Sequence, residues 1–207
     1  MQLYSNFMVG ELERDIKNDP FLIDKPITLF YDYIPNNINQ LKENTYNVLI
    51  IQEPNELFGM HDWVCSNENH KYFDVIFTWS KKILDVVDNS VFFPFAAYWD
   101  KILNFENFDK TYGVSFMCGP KNMLVGHKLR HAIYSKQSDV IIPNNFYYKG
   151  DYEAVKMRCW DTMYHIAVEN SSHSGYFTEK IIDAFISKNI PIYRGCPNIG
   201  EYFNMDG

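Results

Sequence analysis

The chain contains no Gly-x-Gly-x-x-Gly pattern and no Gly-x-x-x-x-Gly-Lys-Ser/Thr run. Dinucleotide oxidoreductase and P-loop readings lose support with them. Cysteine is scarce: Cys65, Cys118, Cys159 and Cys196 stand far apart, with no Cys-x-x-Cys pair among them. That spacing argues against a zinc site and excludes a dense disulfide framework. Reduced thiols in a cytoplasmic setting are the expectation. Basic residues are outnumbered, 19 Lys and Arg against 26 Asp and Glu, for a net charge of -7. A nonspecific nucleic-acid binder needs clustered cations, so no nucleic-acid partner is expected. No stretch approaches the roughly 20 apolar residues of a membrane span. The opening MQLYSNFMVGELERDIKNDP lacks a basic start followed by an apolar core, so no leader is expected either. Internal repeats and low-complexity segments are also missing.

What is present is a core-forming composition. Of 207 residues, 46% are apolar and 17% aromatic, while 22% are charged, which argues against a disordered chain. The length allows one large domain or two small ones. Strand-like runs cover 26–33, 48–51, 73–78 and 91–95, with a short helix expected at 81–87. After a polar and aromatic stretch at 104–112, the pattern repeats. A strand at 113–118 leads through a turn to a helix over 124–135, and a further strand is expected at 140–142. A loop rich in Asn and Tyr follows at 144–152. Alternation of strand and helix predicts an α/β protein. The expected domains are 1–103 and 113–207, with 104–112 as linker.

The densest signal is the run from Tyr164 to Phe203, YHIAVENSSHSGYFTEKIIDAFISKNIPIYRGCPNIGEYF. Tyr164 to Val168 is a short β-favouring apolar run. Glu169 to Tyr176 has the Asn, Ser, His and Gly content of a turn. Thr178 can cap a helix, Glu179 sits where the helix dipole favours a carboxylate, and Asn189 can close the helix. The apolar residues Ile181, Ile182, Ala184, Phe185 and Ile186 cover most of its surface, so a well-buried helix is expected. Ile190 to Tyr193 is the next strand, completing a βαβ unit with parallel strands. Polar residues gather where the first strand meets the helix, the place at which an open α/β sheet receives a phosphate-bearing ligand.

ENSSHSGYFTEKIIDAF followed by IPIYRGCPNI closely resembles the donor-binding motif of the alpha-1,3/1,4-fucosyltransferases, glycosyltransferase family 10. The pattern of that family runs Glu-Asn-Ser, a short variable stretch, Tyr-x-Thr-Glu-Lys, an apolar helix, then a Pro and a Gly-containing loop. The resemblance covers about a fifth of the chain and is closer to the bacterial members. Weaker similarity extends to 115–130 and 49–54. It implies a GT-B-like α/β fold, two Rossmann-like domains facing a cleft. It also implies GDP-fucose as donor, a glycan hydroxyl as acceptor, and inversion at the anomeric carbon. No cofactor or essential metal is implied, and the absence of any Asp-x-Asp triplet agrees with that. Relative to the family, the donor domain is expected to be incomplete at its C-terminal end, as in a truncated chain.

The resemblance assigns roles residue by residue. Lys180 and Arg130 would neutralise the diphosphate, Arg with its planar fork of donors. Glu179 would accept sugar or ribose hydroxyls. Asn170, Tyr176 and Thr178 match the same motif, although Thr178 could equally be a helix cap alone. Glu169 could bind ligand or satisfy a backbone amide at the turn. Ser115 and Lys121 are weaker donor-site candidates. Glu53, in VLIIQEPNE, stands near the place where the animal enzymes carry the Glu of an Glu-Ser-Pro that acts as general base. The Ser is missing here, and Glu56 is the competing carboxylate. His127 and His131 could share a helix face, but two histidines do not complete a metal site. Trp79, Tyr98 and Trp99 could stack acceptor sugars, with core packing as the alternative. A transferase for another nucleotide sugar and a non-catalytic nucleotide- or glycan-binding remnant remain the competing readings. Oligomeric state is not legible.

Overall fold

A computed structural model describes residues 2–5, 26–35, 41, 45–95, 109–148 and 152–206. The chain divides into two compact units, Met1–Pro94 and Phe95–Gly207.

The first unit is a five-stranded sheet in the order β1-β2-β3-β4-β5, parallel throughout. Its strands are β1 (Gln2–Ser5), β2 (Ile27–Tyr31), β3 (Tyr46–Ile51), β4 (Val75–Thr78) and β5 (Ser90–Phe92). Parallel strands covered on both faces read as near-continuous apolar runs, and ITLFY and YNVLII do so. Phe30, Leu49, Ile51 and Ile76 are fully buried. Against them pack Met60 and Val64 of the short helix α2 (Met60–Cys65), which follows α1 (Asn55–Phe58) across Gly59. Ile83 of α3 (Lys81–Leu84) completes the cluster with Phe73 and Val87.

The second unit has four parallel strands in the order β7-β6-β8-β9: β6 (Thr111–Cys118), β7 (Asn144–Tyr148), β8 (Thr162–Val168) and β9 (Ile190–Arg194). Between them run α4 (Val125–Ser135), α5 (Tyr152–Cys159) and α6 (Glu179–Ile186). β6 is followed on one side by β7 and flanked on the other by β8, so the strand order reverses at β6. That reversal leaves a crevice beyond the carboxyl ends of β6 and β8, where open α/β sheets bind ligands.

Several expectations are corrected. No strand forms at 140–142: Ile141 is almost wholly exposed, and the strand beside β6 is Asn144–Tyr148 instead. Its Phe146 packs on Phe116, which gives the aromatic residues of the expected loop a place on the sheet. Thr111 and Tyr112, read as the end of a linker, already belong to β6, while 104–108 lie outside the described residues. The helix α6 buries Ile181, Asp183 and Ala184 but leaves Phe185 partly exposed. The left-handed residue that ends this helical stretch is Lys188 (φ 61°), not Asn189. Asn189 instead sends its side-chain amide to the carbonyl of Thr162.

Candidate functional site

The β8–α6 turn is built around one buried carboxylate. Glu169 leaves the end of β8 with 1% exposure and turns back over the start of α6. Its Oε1 accepts the Thr178 amide at 2.8 Å, and its Oε2 accepts the Thr178 hydroxyl at 2.7 Å. Thr178 in turn is the N-cap of α6: its Oγ1 accepts the backbone amide of Lys180 at 3.4 Å and the ammonium of Lys180 at 2.9 Å. Lys180 Nζ also lies 3.2 Å from Glu179 and 3.5 Å from Glu169. Burial pushes the Glu169 pKa up, against the pull of Lys180. Burial would raise Glu179 as well, but Lys180 and Lys156 outweigh it and hold that carboxyl down to about 2.

Two glycines allow the surrounding elements to come this close. The Gly126 amide donates to the Asn170 carbonyl at 2.9 Å, and a Cβ at Gly126 would stand 1.7 Å from the Glu169 carbonyl oxygen. The first turn of α4 therefore rests directly on the turn after β8. On the other side, a Cβ at Gly195 would meet the Glu169 side chain at 2.4 Å.

From that seat α4 delivers Arg130. Its guanidinium donates to the side-chain oxygen of Asn170 at 2.8 Å and to the carbonyl of Val168. These bonds use two of the five N–H donors of the fork, so it retains donors for an anion. Burial lowers the Arg130 pKa while Glu169 counters it. His127, one turn earlier, is neutral: burial and the Arg130 charge beside it lower its pKa to about 4, and its Nδ1 accepts the amide of Leu124 at 3.1 Å. His131 reaches the carbonyl of Lys121 instead. The two histidines thus serve backbone groups at the start of α4, and no cluster of three His, Cys, Asp or Glu suited to a metal occurs among the described residues.

These groups line a cavity of about 490 Å³ beyond the carboxyl ends of β6 and β8. That volume lies within the range of small-molecule and nucleotide pockets. Of the residues that the sequence offers as donor-binding candidates, Arg130, Asn170, Glu179, Lys180 and Lys121 are on its wall. Glu169, Tyr176 and Thr178 are not: each is buried behind the wall, with at most 2% exposure. Glu169 and Thr178 act on the site by fixing Lys180. Ser115 likewise lies inside the sheet, donating to the Cys159 carbonyl at 2.8 Å and standing 2.9 Å from His165 Nδ1. The floor holds residues that no sequence pattern indicated. His165 is kept neutral, its pKa lowered to about 4 by burial and by Lys156 and Lys110. Lys156 and Asp183 form a buried ion pair at 2.6 Å, joining α5 to α6. Only their side chains' meeting in space reveals them, since α5 carries no clear apolar stripe.

Glu53 belongs to the first unit, one residue beyond Gln52 at the carboxyl end of β3, and is half-buried. Glu56 lies in the first turn of α1 and is exposed. Trp79 is buried at 4% exposure, its indole N–H donating to the Gln52 carbonyl at 2.7 Å, so it is a core residue. Tyr98 and Trp99 lie outside the described residues.

No family model matches the chain. A 41-residue stretch, 20% of the chain, is 49% identical to the alpha-(1,3)-fucosyltransferase FucT of Helicobacter pylori and spans 9% of that protein's length. The fold is similar over nearly the whole chain to crystal structures of alpha1,3-fucosyltransferase. The TM-score is 0.61 at 18% identity, over 99% of this chain and 71% of the other. Crystal structures of an alpha1,3-fucosyltransferase with GDP and with GDP-fucose give 0.57 and 0.56, at 17% and 16% identity. They are covered to 71% and 70% of their length, by 99% and 98% of this chain. A stretch of this chain is therefore similar to a fucosyltransferase sequence, and the α/β, GT-B-like fold class is found in solved fucosyltransferase structures.

Proposed function

We propose that this chain is a fucosyltransferase that transfers fucose from GDP-fucose to a hydroxyl of a glycan acceptor, with inversion and without a metal. The observation that carries the reading is the cavity at the β6/β8 switch point, whose lining gathers Arg130, Lys180 and Lys121 with the Glu179 carboxylate and the Asn170 amide, above the Lys156–Asp183 pair. Arg130 and Lys180 are the chemistry a departing diphosphate requires: fixed positive charge and N–H donors that need no reorganisation as the bond breaks. Glu179, held as a carboxylate, accepts hydroxyl protons of ribose or sugar. The structural relatives solved with GDP and with GDP-fucose support the choice of nucleotide.

In this reaction Glu53 takes the proton of the acceptor hydroxyl. That oxygen forms a bond to the anomeric carbon from the face opposite the phosphate, and the carbon–oxygen bond to the diphosphate breaks. The electron pair leaves with GDP, whose charge is met by Arg130 and Lys180. A single displacement of this kind inverts the anomeric centre. Four cysteines, none of them in a disulfide, suit a reducing, cytoplasmic setting. No helix among the described residues is long and apolar enough to cross a membrane.

The test is transfer of labelled fucose from GDP-fucose to a panel of glycan acceptors in EDTA. Labelled product of inverted anomeric configuration is expected. Donor binding with no transfer to any acceptor would overturn the catalytic reading and leave a nucleotide-binding protein.

A further inference from the structure

The backbone groups of two consecutive residues just past β3, Gln52 and Glu53, are gripped from three separate elements. Asp32, the residue after β2, is 1% exposed, and its Oδ1 accepts the amides of both Gln52 (2.8 Å) and Glu53 (3.1 Å). The Gln52 carbonyl accepts the indole N–H of Trp79, just beyond β4, at 2.7 Å. The Glu53 carbonyl accepts from His61 Nε2 of α2 at 3.0 Å, and the His61 ring packs edge-on against Trp79 with centroids 5.1 Å apart. Both backbone groups of Glu53 are thereby assigned to buried side chains. Asp32 reaches its place with a φ of 44°, in the left-handed region that non-glycine residues seldom occupy. Its own amide donates to the Ile50 carbonyl at 2.9 Å, which continues the β2–β3 ladder one residue past the strand.

A β-strand ends without any such device. Residues in sparsely populated backbone regions cluster where the chain must hold a functional group in one direction. The residue held here is Glu53. We propose that Asp32 is the positioning residue of the base: by taking both amides on one carboxylate oxygen it sets the direction in which the Glu53 side chain leaves the sheet. The inference rests on the reading of Glu53 as the base. Asp32 touches no substrate and acts only through the Gln52–Glu53 backbone. An asparagine can replace it, because it presents the same oxygen and tolerates the left-handed backbone.

The experiment compares the full chain with D32N, D32A and E53Q. D32A is expected to lose about 100-fold in kcat, the scale of a misplaced reacting group. Its GDP affinity should stay unchanged, because the donor cavity is built wholly from the second unit. D32N should restore kcat to within about threefold, since it keeps the acceptor oxygen. Amide hydrogen exchange at Gln52 and Glu53 should quicken in D32A and not in D32N. If D32A does not melt cooperatively, D32S, too short to span both amides, carries the same expectation. D32A at wild-type kcat, or D32N as impaired as D32A, overturns the proposal. E53Q at wild-type kcat overturns the base assignment instead, and the exchange data then decide the Asp32 tether by themselves.

Discussion

Gly126 and Asn170 meet backbone to backbone, the amide of one donating to the carbonyl of the other at 2.9 Å with no room for a methyl group between the chains. This contact seats the helix that carries Arg130 on the turn that leads to Lys180. Gly126→Ala puts its Cβ against a backbone carbonyl, which no side-chain rotation relieves. The expected cost is about 3 kcal/mol of stability, at the upper end for overpacking. GDP affinity should fall with it because Arg130 moves with α4. Thermal melting and GDP titration of the variant check this; wild-type values in both would remove the seat from the account.

Glu169 stands behind the cavity and not in it, so its replacement separates scaffold from ligand contact. Glu169→Ala leaves the Thr178 amide and hydroxyl buried without their acceptor. The expected loss is about 2–4 kcal/mol, the cost of two stranded donors. Glu169→Gln keeps an oxygen for the amide, and the Thr178 hydroxyl can rotate, so it should lose less. Chemical denaturation of the two variants gives the order. An alanine variant as stable as wild type would show that the carboxylate is not what closes this turn.

Asp32 predicts a pH dependence of a definite sign. Burial raises its pKa to about 7, against an ordinary 3.8, despite the two amides that pull it down; the nearby Glu53 pushes it the same way as burial. The folded state therefore holds a proton that the unfolded chain has released. The contribution of this group is fully present below about pH 4 and is lost as pH rises to about 7, then stays level. The total is on the order of 4 kcal/mol at most. Urea denaturation of wild type and D32N at pH 4.5, 6 and 8 isolates it. The advantage of wild type over D32N should shrink across that range, whereas parallel curves would mean that Asp32 is ionised throughout.

The run from β8 to β9 was legible because each local signal pointed the same way: a β-favouring stretch, a polar turn, a capping threonine and an apolar helix. Asn170, Glu179 and Lys180 stand out in the sequence through the motif and Arg130 through the weaker similarity upstream, and all four line the cavity. The strand Asn144–Tyr148 was not, because its asparagines read as loop and its place is set by pairing with β6. Val140 to Ile142 has strand propensity but pairs with none of the described strands of the second unit's sheet. Tertiary contact alone turns Lys156, which reads as a solvated lysine, into half of a buried ion pair with Asp183. The same holds for Asp32, an aspartate in a tyrosine-rich turn until the fold brings Gln52 and Glu53 to it. Glu169 was readable only as one of two alternatives, and its distances to Thr178 decide for the backbone role.

The donor cavity is tested most directly by isothermal titration in EDTA with GDP, GDP-fucose and UDP-galactose, on wild type, R130A and K180A. The account expects GDP and GDP-fucose to bind wild type without metal and UDP-galactose to bind far more weakly. Each charge removal should weaken GDP by about tenfold or more, the worth of one charge-assisted contact. Equal binding of the uridine and guanosine ligands, or GDP affinity unchanged in both variants, would contradict it.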